Sequence, residues 1–458
     1  MDVSTALEDR HPLNQLLALR GWTNEDYLRR VSAKHRALGY GGLGCRKEKM
    51  SRWTRPVRPQ VPNEPTQLAM AAVLDIAAYE VRARGWPHWL LLGMRDHSAV
   101  WGAPWTPEGT IHALDDSGGS IVDRRGFLTA GAGTVAAAIA QWAIAAPTPA
   151  NAETGRLIGA DVADRFDSRL NDLRHLDDDL GADHVYDAAR AEVRFINRLL
   201  RNNSYNEATG RRLYASAAEA SRLAGWCAYD GGDVAAAEKH LHAALRASAS
   251  SGDHTVGATV AAFWANVRYG SATSDPRSAL DLIDGALVHR ARITSPRVLT
   301  MLHIRRARAH SLAGESAAAY RSIDDALTVY DNGIPAGDDL PSMYWVNAGE
   351  IHQAAASAAL SLQDPARALN HFTAAATHTD PYDAEKEPRG TAIYLLRQAS
   401  AYLVLGDLDG TVETARPAVD LMGGVNSARG SSALAELRTD LARYCSTPVV
   451  KDFLSETA

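Results

Sequence analysis

From Gly232 onward, apolar and small residues recur with a helical period, and the pattern restarts five times. The copies read Gly232-Asp233, Ala237, Leu241, Ala244-Leu245; Ser274-Asp275, Ala279, Ile283, Ala286-Leu287; and Gly314-Glu315, Ala319, Ile323, Ala326-Leu327. The last two are Gln363-Asp364, Ala368, Phe372, Ala375-Ala376 and Gly406-Asp407, Thr411, Ala415, Ala418-Val419. A break, an acidic residue and small residues four apart predict one helical hairpin per copy, with close helix packing. Starts 40 to 49 residues apart predict stacked hairpins, an α-solenoid with a concave binding side. Asp183 to Leu200 and Arg211 to Tyr229 predict helices that begin the stack, and Ala433 to Tyr444 one that closes it.

The first third follows another pattern. Leu13 to Arg20 predicts a short helix stopped by Gly21. Thr23 or Asn24 caps a second helix to about Leu38, with Tyr27, Leu28, Val31 and His35 inward. Four glycines between Gly39 and Gly44 predict a turn. Arg46 to Thr54 predicts a third, short helix ended by Pro56 and Pro59, and Asn63 caps a fourth. On the third helix Arg46, Met50 and Trp53 share one side, with Met50 and Trp53 as core anchors. Ser51, Arg52 and Arg55 face away from it, flanked by Lys47 and Lys49. Such a front suits a major groove, where Arg and Lys donate to guanine edges or phosphates. Glu48, on the same front, either accepts from cytosine or pairs with Arg52.

Charge sharpens this picture. The net charge is −6, yet residues 20–58 hold eleven Lys/Arg against three Asp/Glu. A basic block in an acidic chain points to a polyanion, with nucleic acid first. Apolar content of 46% with only 7% aromatics, much of it alanine, disfavours a sheet protein. Cys45, Cys227 and Cys445 show no CxxC or Cys/His metal spacing, which fits a reducing cytoplasm. No run reaches the roughly eighteen apolar residues of a spanning helix. Asp123-Arg124-Arg125-Gly126-Phe127-Leu128-Thr129 has the grammar of a twin-arginine signal, but it lies far into the chain. The reading preferred here is an inter-domain helix with Phe127, Leu128, Val135, Ile139 and Trp142 on one face.

Gly21-Trp22-Thr23, Asp26-Tyr27-Leu28, Met50-Ser51-Arg52-Trp53 and Ala71-Ala72-Val73-Leu74 together resemble the helix-turn-helix domain of Cro/phage-repressor-type (XRE) regulators. With Trp105 to Thr110, Ala113-Leu114 and Asp123 to Leu128 in order, the chain is similar to an actinobacterial subfamily. That subfamily joins a variant helix-turn-helix through a linker to a tetratricopeptide-like sensor. The chain departs from it at Trp53-Thr54-Arg55-Pro56, in a longer glycine-rich turn, and in Cys45 at a capping position. The copies also exceed the ~34 residues of a tetratricopeptide unit.

The expectation is therefore an all-α chain. Residues 1–82 form the helix-turn-helix, 83–155 a linker with an apolar helix, and 156–458 a tetratricopeptide-like α-solenoid. Double-stranded DNA is the expected partner of Lys47, Lys49, Ser51, Arg52 and Arg55, bound as a homodimer, with no membrane. Counting from the small positions places Arg222, Trp226, Tyr229, Trp264, Arg268, Arg308, Gln353 and Ser400 along the groove, for a peptide, small signalling molecule or protein. No HExxH, GxSxG, Walker loop or GxGxxG offers catalytic chemistry. His303 and His310, seven apart, do not specify a metal, and no cofactor is expected. Asp177-Asp178-Asp179 reads as a helix end or loop. The competing reading is an interaction scaffold whose first domain has lost DNA binding, and a third is an exported repeat protein started from an internal Met.

Overall fold

The computed structural model describes residues 11–19, 22–45, 47–55, 59–74, 76, 78–91, 103–119, 130–146, 148–271, 273–333, 339–381, 387–422 and 427–457. The fold is all-α, and Arg124 and Arg125, with the rest of the Asp123–Thr129 motif, lie outside the described residues. Two compact units form, one within Met1–Pro104 and Ile121–Val135, the other within Trp105–Ser120 and Ala136–Ala458.

The first unit contains α1 (Pro12–Leu19), α2 (Asn24–Ala37), α3 (Lys47–Trp53), α4 (Glu64–Val73) and α5 (Ala78–Arg84). Thr23 caps α2 by accepting from Asp26 N at 3.1 Å, and Asn63 caps α4 by accepting from Thr66 N at 3.1 Å. Their short oxygen-bearing side chains satisfy first-turn N–H groups that the helix itself leaves unpaired. One core gathers Leu13, Leu16, Tyr27, Leu28, Val31, Met50, Trp53, Leu68, Met70 and Trp89. The glycine-rich turn passes through the left-handed region at Gly39 and Gly41. It is tied back to α2 where Ser32 Oγ donates to Leu43 O at 2.8 Å and the His35 ring lies 2.9 Å from Gly41 O.

The second unit begins with α6 (Pro107–Gly119) and takes in residues 136–144 of α7 (Ala132–Ile144). Then follow α8 (Asp161–Leu180), α9 (Ala182–Asn202), α10 (Glu207–Asp230), α11 (Val234–Ser251), α12 (His254–Gly270), α13 (Pro276–Leu287), α14 (Pro296–Leu312) and α15 (Ser316–Gly333). The remainder are α16 (Ala348–Ser361), α17 (Pro365–Thr377), α18 (Pro388–Val404), α19 (Leu408–Met422), α20 (Ala428–Leu441) and α21 (Pro448–Glu456). The stretch Ala433 to Tyr444 lies in α20 and the 3-10 turn Ala442–Tyr444 that follows it, and α21 comes after. From α10 to α19, consecutive helices pack as pairs, and the first helices of neighbouring pairs also touch. A two-residue parallel pairing of Arg156–Leu157 with Asn203–Ser204 accompanies the start of the stack.

The stretch expected as a linker contributes directly to this unit. Thr110 Oγ1 donates to Arg246 O at 3.2 Å, and Asn197 Nδ2 donates to Ile111 O at 3.2 Å, so α6 lies on α9 and α11. Ile139 and Trp142 of this unit are buried, as is Val135 of the first unit, and Trp142 Nε1 donates to Ser248 Oγ at 3.0 Å. Phe127 and Leu128 lie outside the described residues.

The repeated break has a plain backbone cause. Its first residue is left-handed in four copies, at φ +84° for Gly232, +76° for Gly314, +63° for Gln363 and +81° for Gly406. Asp233, Asp275, Asp364 and Asp407 then accept first-turn N–H groups at 2.8–3.1 Å. The small residues follow the same logic: Ala237, Ala244, Ala279, Ala286, Ala319 and Ala326 are wholly buried where helices meet. A β-carbon in the left-handed region costs about 1 kcal/mol. Gln363→Gly is therefore expected to stabilise the protein by about 0.5–1 kcal/mol and Gly406→Ala to destabilise it similarly, as read by thermal or denaturant unfolding.

Candidate functional site

The first helices of the pairs surround a cavity of about 650 Å³ within the second unit. Each presents one face because residues three or four apart lie above one another. Helix α8 supplies Arg174, Asp177 and Asp178, and α10 supplies Arg222, Trp226 and Tyr229. Phe263 and Tyr269 come from α12, Arg305 and Arg308 from α14, and Tyr344 and Trp345 from the turn before α16. Glu350 projects from α16, Arg389, Tyr394, Arg397 and Ser400 from α18, and Arg429 from α20.

At one side, ion pairs close the far ends of the stack onto each other. Arg389 donates to Asp230 at 2.8 Å and to Asp177 at 2.8 Å, and Arg429 Nε donates to Asp230 at 2.6 Å. Ser427 Oγ adds a third donor to Asp230, at 2.8 Å. Burial pushes the Asp230 carboxyl up, but Arg429 and Arg389 outweigh it and hold it below the ordinary carboxylate value. Beside this network Glu219 accepts from Arg174 at 2.8 Å and Arg222 at 3.0 Å.

Aromatic rings form the walls. Trp226 and Phe263 meet edge to face at 5.1 Å between centroids. Arg429 lies 4.3 Å above Trp226, Arg222 lies 4.3 Å above Phe263, and Arg305 lies 5.5 Å from the Trp345 ring centre. Cations held over ring faces keep flat apolar surface and positive charge side by side.

At another part of the wall the positive charges have neutral partners. Arg308 donates to Ser357 O at 2.5 Å, Ser361 Oγ at 3.0 Å and Ser311 Oγ at 3.2 Å. Arg397 donates to Ser357 Oγ at 3.0 Å. Burial, with Arg397 adjacent, pulls the Arg308 guanidinium down to about 10. Glu350 is the carboxylate of this region. It accepts from Tyr394 Oη at 2.8 Å, and burial raises its pKa against the pull of Arg305 and Arg397.

Of the residues singled out from sequence, Arg222, Trp226, Tyr229, Arg308 and Ser400 line the cavity together. Trp264 and Arg268 do not. One position beyond Phe263, the helix has turned by about 100°. The Trp264 indole donates to Glu238 at 3.4 Å, and Arg268 pairs with Glu238 at 2.9 Å and Asp275 at 2.6 Å, in the packing between helices. Gln353 is half-buried on α16, which turns Glu350 and Ala354 to the cavity instead. Asp177 and Asp178 do sit in a helix end, but as cavity-wall acids. His310 pairs with Glu315 at 2.6 Å, and among the described residues no group of three or more His, Cys, Asp or Glu is arranged to hold a metal.

In the first unit, Met50 and Trp53 of α3 are buried while Glu48, Ser51, Arg52 and Arg55 are exposed and Lys49 is half-exposed. Arg52 Nε donates to Glu48 O at 3.2 Å, so its tie is to the carbonyl rather than the carboxylate. The Lys47 side chain and Arg46 lie outside the described residues. No described helix is long and apolar enough to cross a membrane. Comparison with protein-family models and with curated proteins finds no match to this sequence.

Asp230→Ala is expected to cost about 3–5 kcal/mol in denaturant unfolding, because it removes the buried carboxylate that Arg389, Arg429 and Ser427 share. Asp178 carries a pH signature: burial raises its pKa to about 7 from 3.8, while Tyr344 donates to it. Between those values the folded chain holds the extra proton, so this group's contribution to stability falls as pH rises toward 7. Buried His240 and His242, with lowered pKa values, act in the opposite sense, so a difference is the proper measurement. Asp178→Asn should gain stability relative to the parent between about pH 4 and 7 and keep that gain above it.

Proposed function

We propose that this chain is a DNA-binding transcriptional regulator whose helical-repeat unit senses a ligand, of the helix-turn-helix and tetratricopeptide-like kind that the sequence resembles. The observation that carries the reading is on α3. Its two apolar residues are locked in the core while Ser51 and Arg52 on the same short helix, and Arg55 just after it, stand in solvent. Anchored from behind, such a helix presents rigid donors to a groove. The local excess of eight positive charges over residues 20–58 supplies attraction to phosphates. Occupation of the repeat cavity is then the input, and the disposition of two DNA-binding units in a dimer the output. Two copies are needed because one seven-residue helix reaches few bases.

The test is duplex binding by the full chain at several salt concentrations. The expected result is affinity that falls steeply with salt, weakened about tenfold to a hundredfold by Arg52→Ala with Arg55→Ala. An unchanged affinity in the double variant overturns the assignment of α3. No binding at low salt overturns the regulator reading.

A further inference from the structure

Arg305, Arg308 and Arg397 face one region of the cavity from α14 and α18, and Glu350 is the carboxylate set among them. None of the three makes an ion pair with a described carboxylate; Arg308 and Arg397 spend their donors on serine oxygens. Elsewhere on the same wall the pattern is the reverse, with Arg174, Arg222, Arg389 and Arg429 each on a carboxylate. Bringing like charges together in a partly dry place is unfavourable unless something negative joins them. Three guanidinium groups less one carboxylate leave an excess matching a dianion, and the Trp345 ring lies beside Arg305.

We propose that this part of the cavity binds the phosphate of a small phosphomonoester, with an aromatic ring of the same ligand against Trp345 and Phe263. The planar guanidinium fork fits phosphate oxygens. A volume of about 650 Å³ accommodates one ring and one phosphate with room for further groups. The inference rests on reading the repeat unit as a ligand-holding body, and it is independent of whether α3 binds DNA.

The experiment uses the full chain without DNA. Tryptophan fluorescence, which reports Trp226 and Trp345 among others, is titrated with phenyl phosphate, phenol, inorganic phosphate and benzoate at matched ionic strength. The expected order is phenyl phosphate tightest, inorganic phosphate weaker, and phenol without effect. Arg308→Gln is expected to weaken phenyl phosphate about tenfold or more while leaving the unliganded melting temperature unchanged or raised, since one of the crowded cations is gone. Arg397→Gln should repeat the loss, and Arg416→Gln, exposed on α19 and paired with Glu456, should not. If Arg308→Gln fails to fold, the Arg397→Gln titration decides. Binding equal in the parent and the cavity variants, or no binding of phenyl phosphate in the parent, overturns the proposal. Benzoate binding as tightly as phenyl phosphate overturns its dianion part. Loss of this binding with duplex affinity intact refutes the subsite alone, whereas absent duplex binding with phosphate binding intact refutes only the regulator reading.

Discussion

The second unit depends on a buried carboxylate that holds chain segments far apart in sequence. Asp230, at the end of α10, receives Arg389 from α18 and both Ser427 and Arg429 from the start of α20. Helix pairs that pack mainly on their sequence neighbours do not by themselves bring distant segments together. Here charge supplies the missing long-range constraint. Two cations on one carboxylate, with a third hydrogen bond from serine, repay the loss of water that burial imposes. Asp177 extends the same arrangement to α8, so the first pairs and the last share one polar knot.

That knot also determines the character of the cavity. Because the knot neutralises Arg389 and Arg429, the excess of positive charge lies around Arg305, Arg308 and Arg397, with Glu350 the carboxylate among them. The aromatic residues join the two regions, with Arg429 over Trp226 at one place and Arg305 by Trp345 at another. The wall is thus graded from paired charge through flat apolar surface to unpaired charge, an asymmetry that orients whatever enters.

Much of the fold was legible because its determinants are local. Gly232, Gly314 and Gly406 mark left-handed turns, and Asp233 and Asp407 after two of them accept first-turn N–H groups of the next helix; both signals span only a few residues. Thr23 and Asn63 announced their helices in the same way, and Met50 and Trp53 marked the inward side of α3. The cavity was legible only in part. On α10 the counting named Arg222, Trp226 and Tyr229, which line the cavity, but on α12 it named Trp264 where Phe263 lines it, and a single position redirects a side chain into the neighbouring helix. Asp230, Arg389 and Arg429 were missed because their pairing spans 159 to 199 residues and leaves no periodic trace. The one local signal was an acid closing a short apolar run, Cys227-Ala228-Tyr229-Asp230.

The placement of α6 has a practical corollary for anyone dividing the chain. The polypeptide enters the second unit at Trp105, leaves it after Ser120 and returns at Ala136, so the two bodies are interleaved along the sequence. Lys239 meets Asp116, and the Arg194 guanidinium donates to Gly118 O at 2.9 Å, across the seam between α6 and the stack. A fragment cut at residue 156 discards α6 and Trp142 together. It would uncover buried surface on α9 and α11 and invite aggregation, whereas a fragment begun ahead of Trp105 retains its own cover.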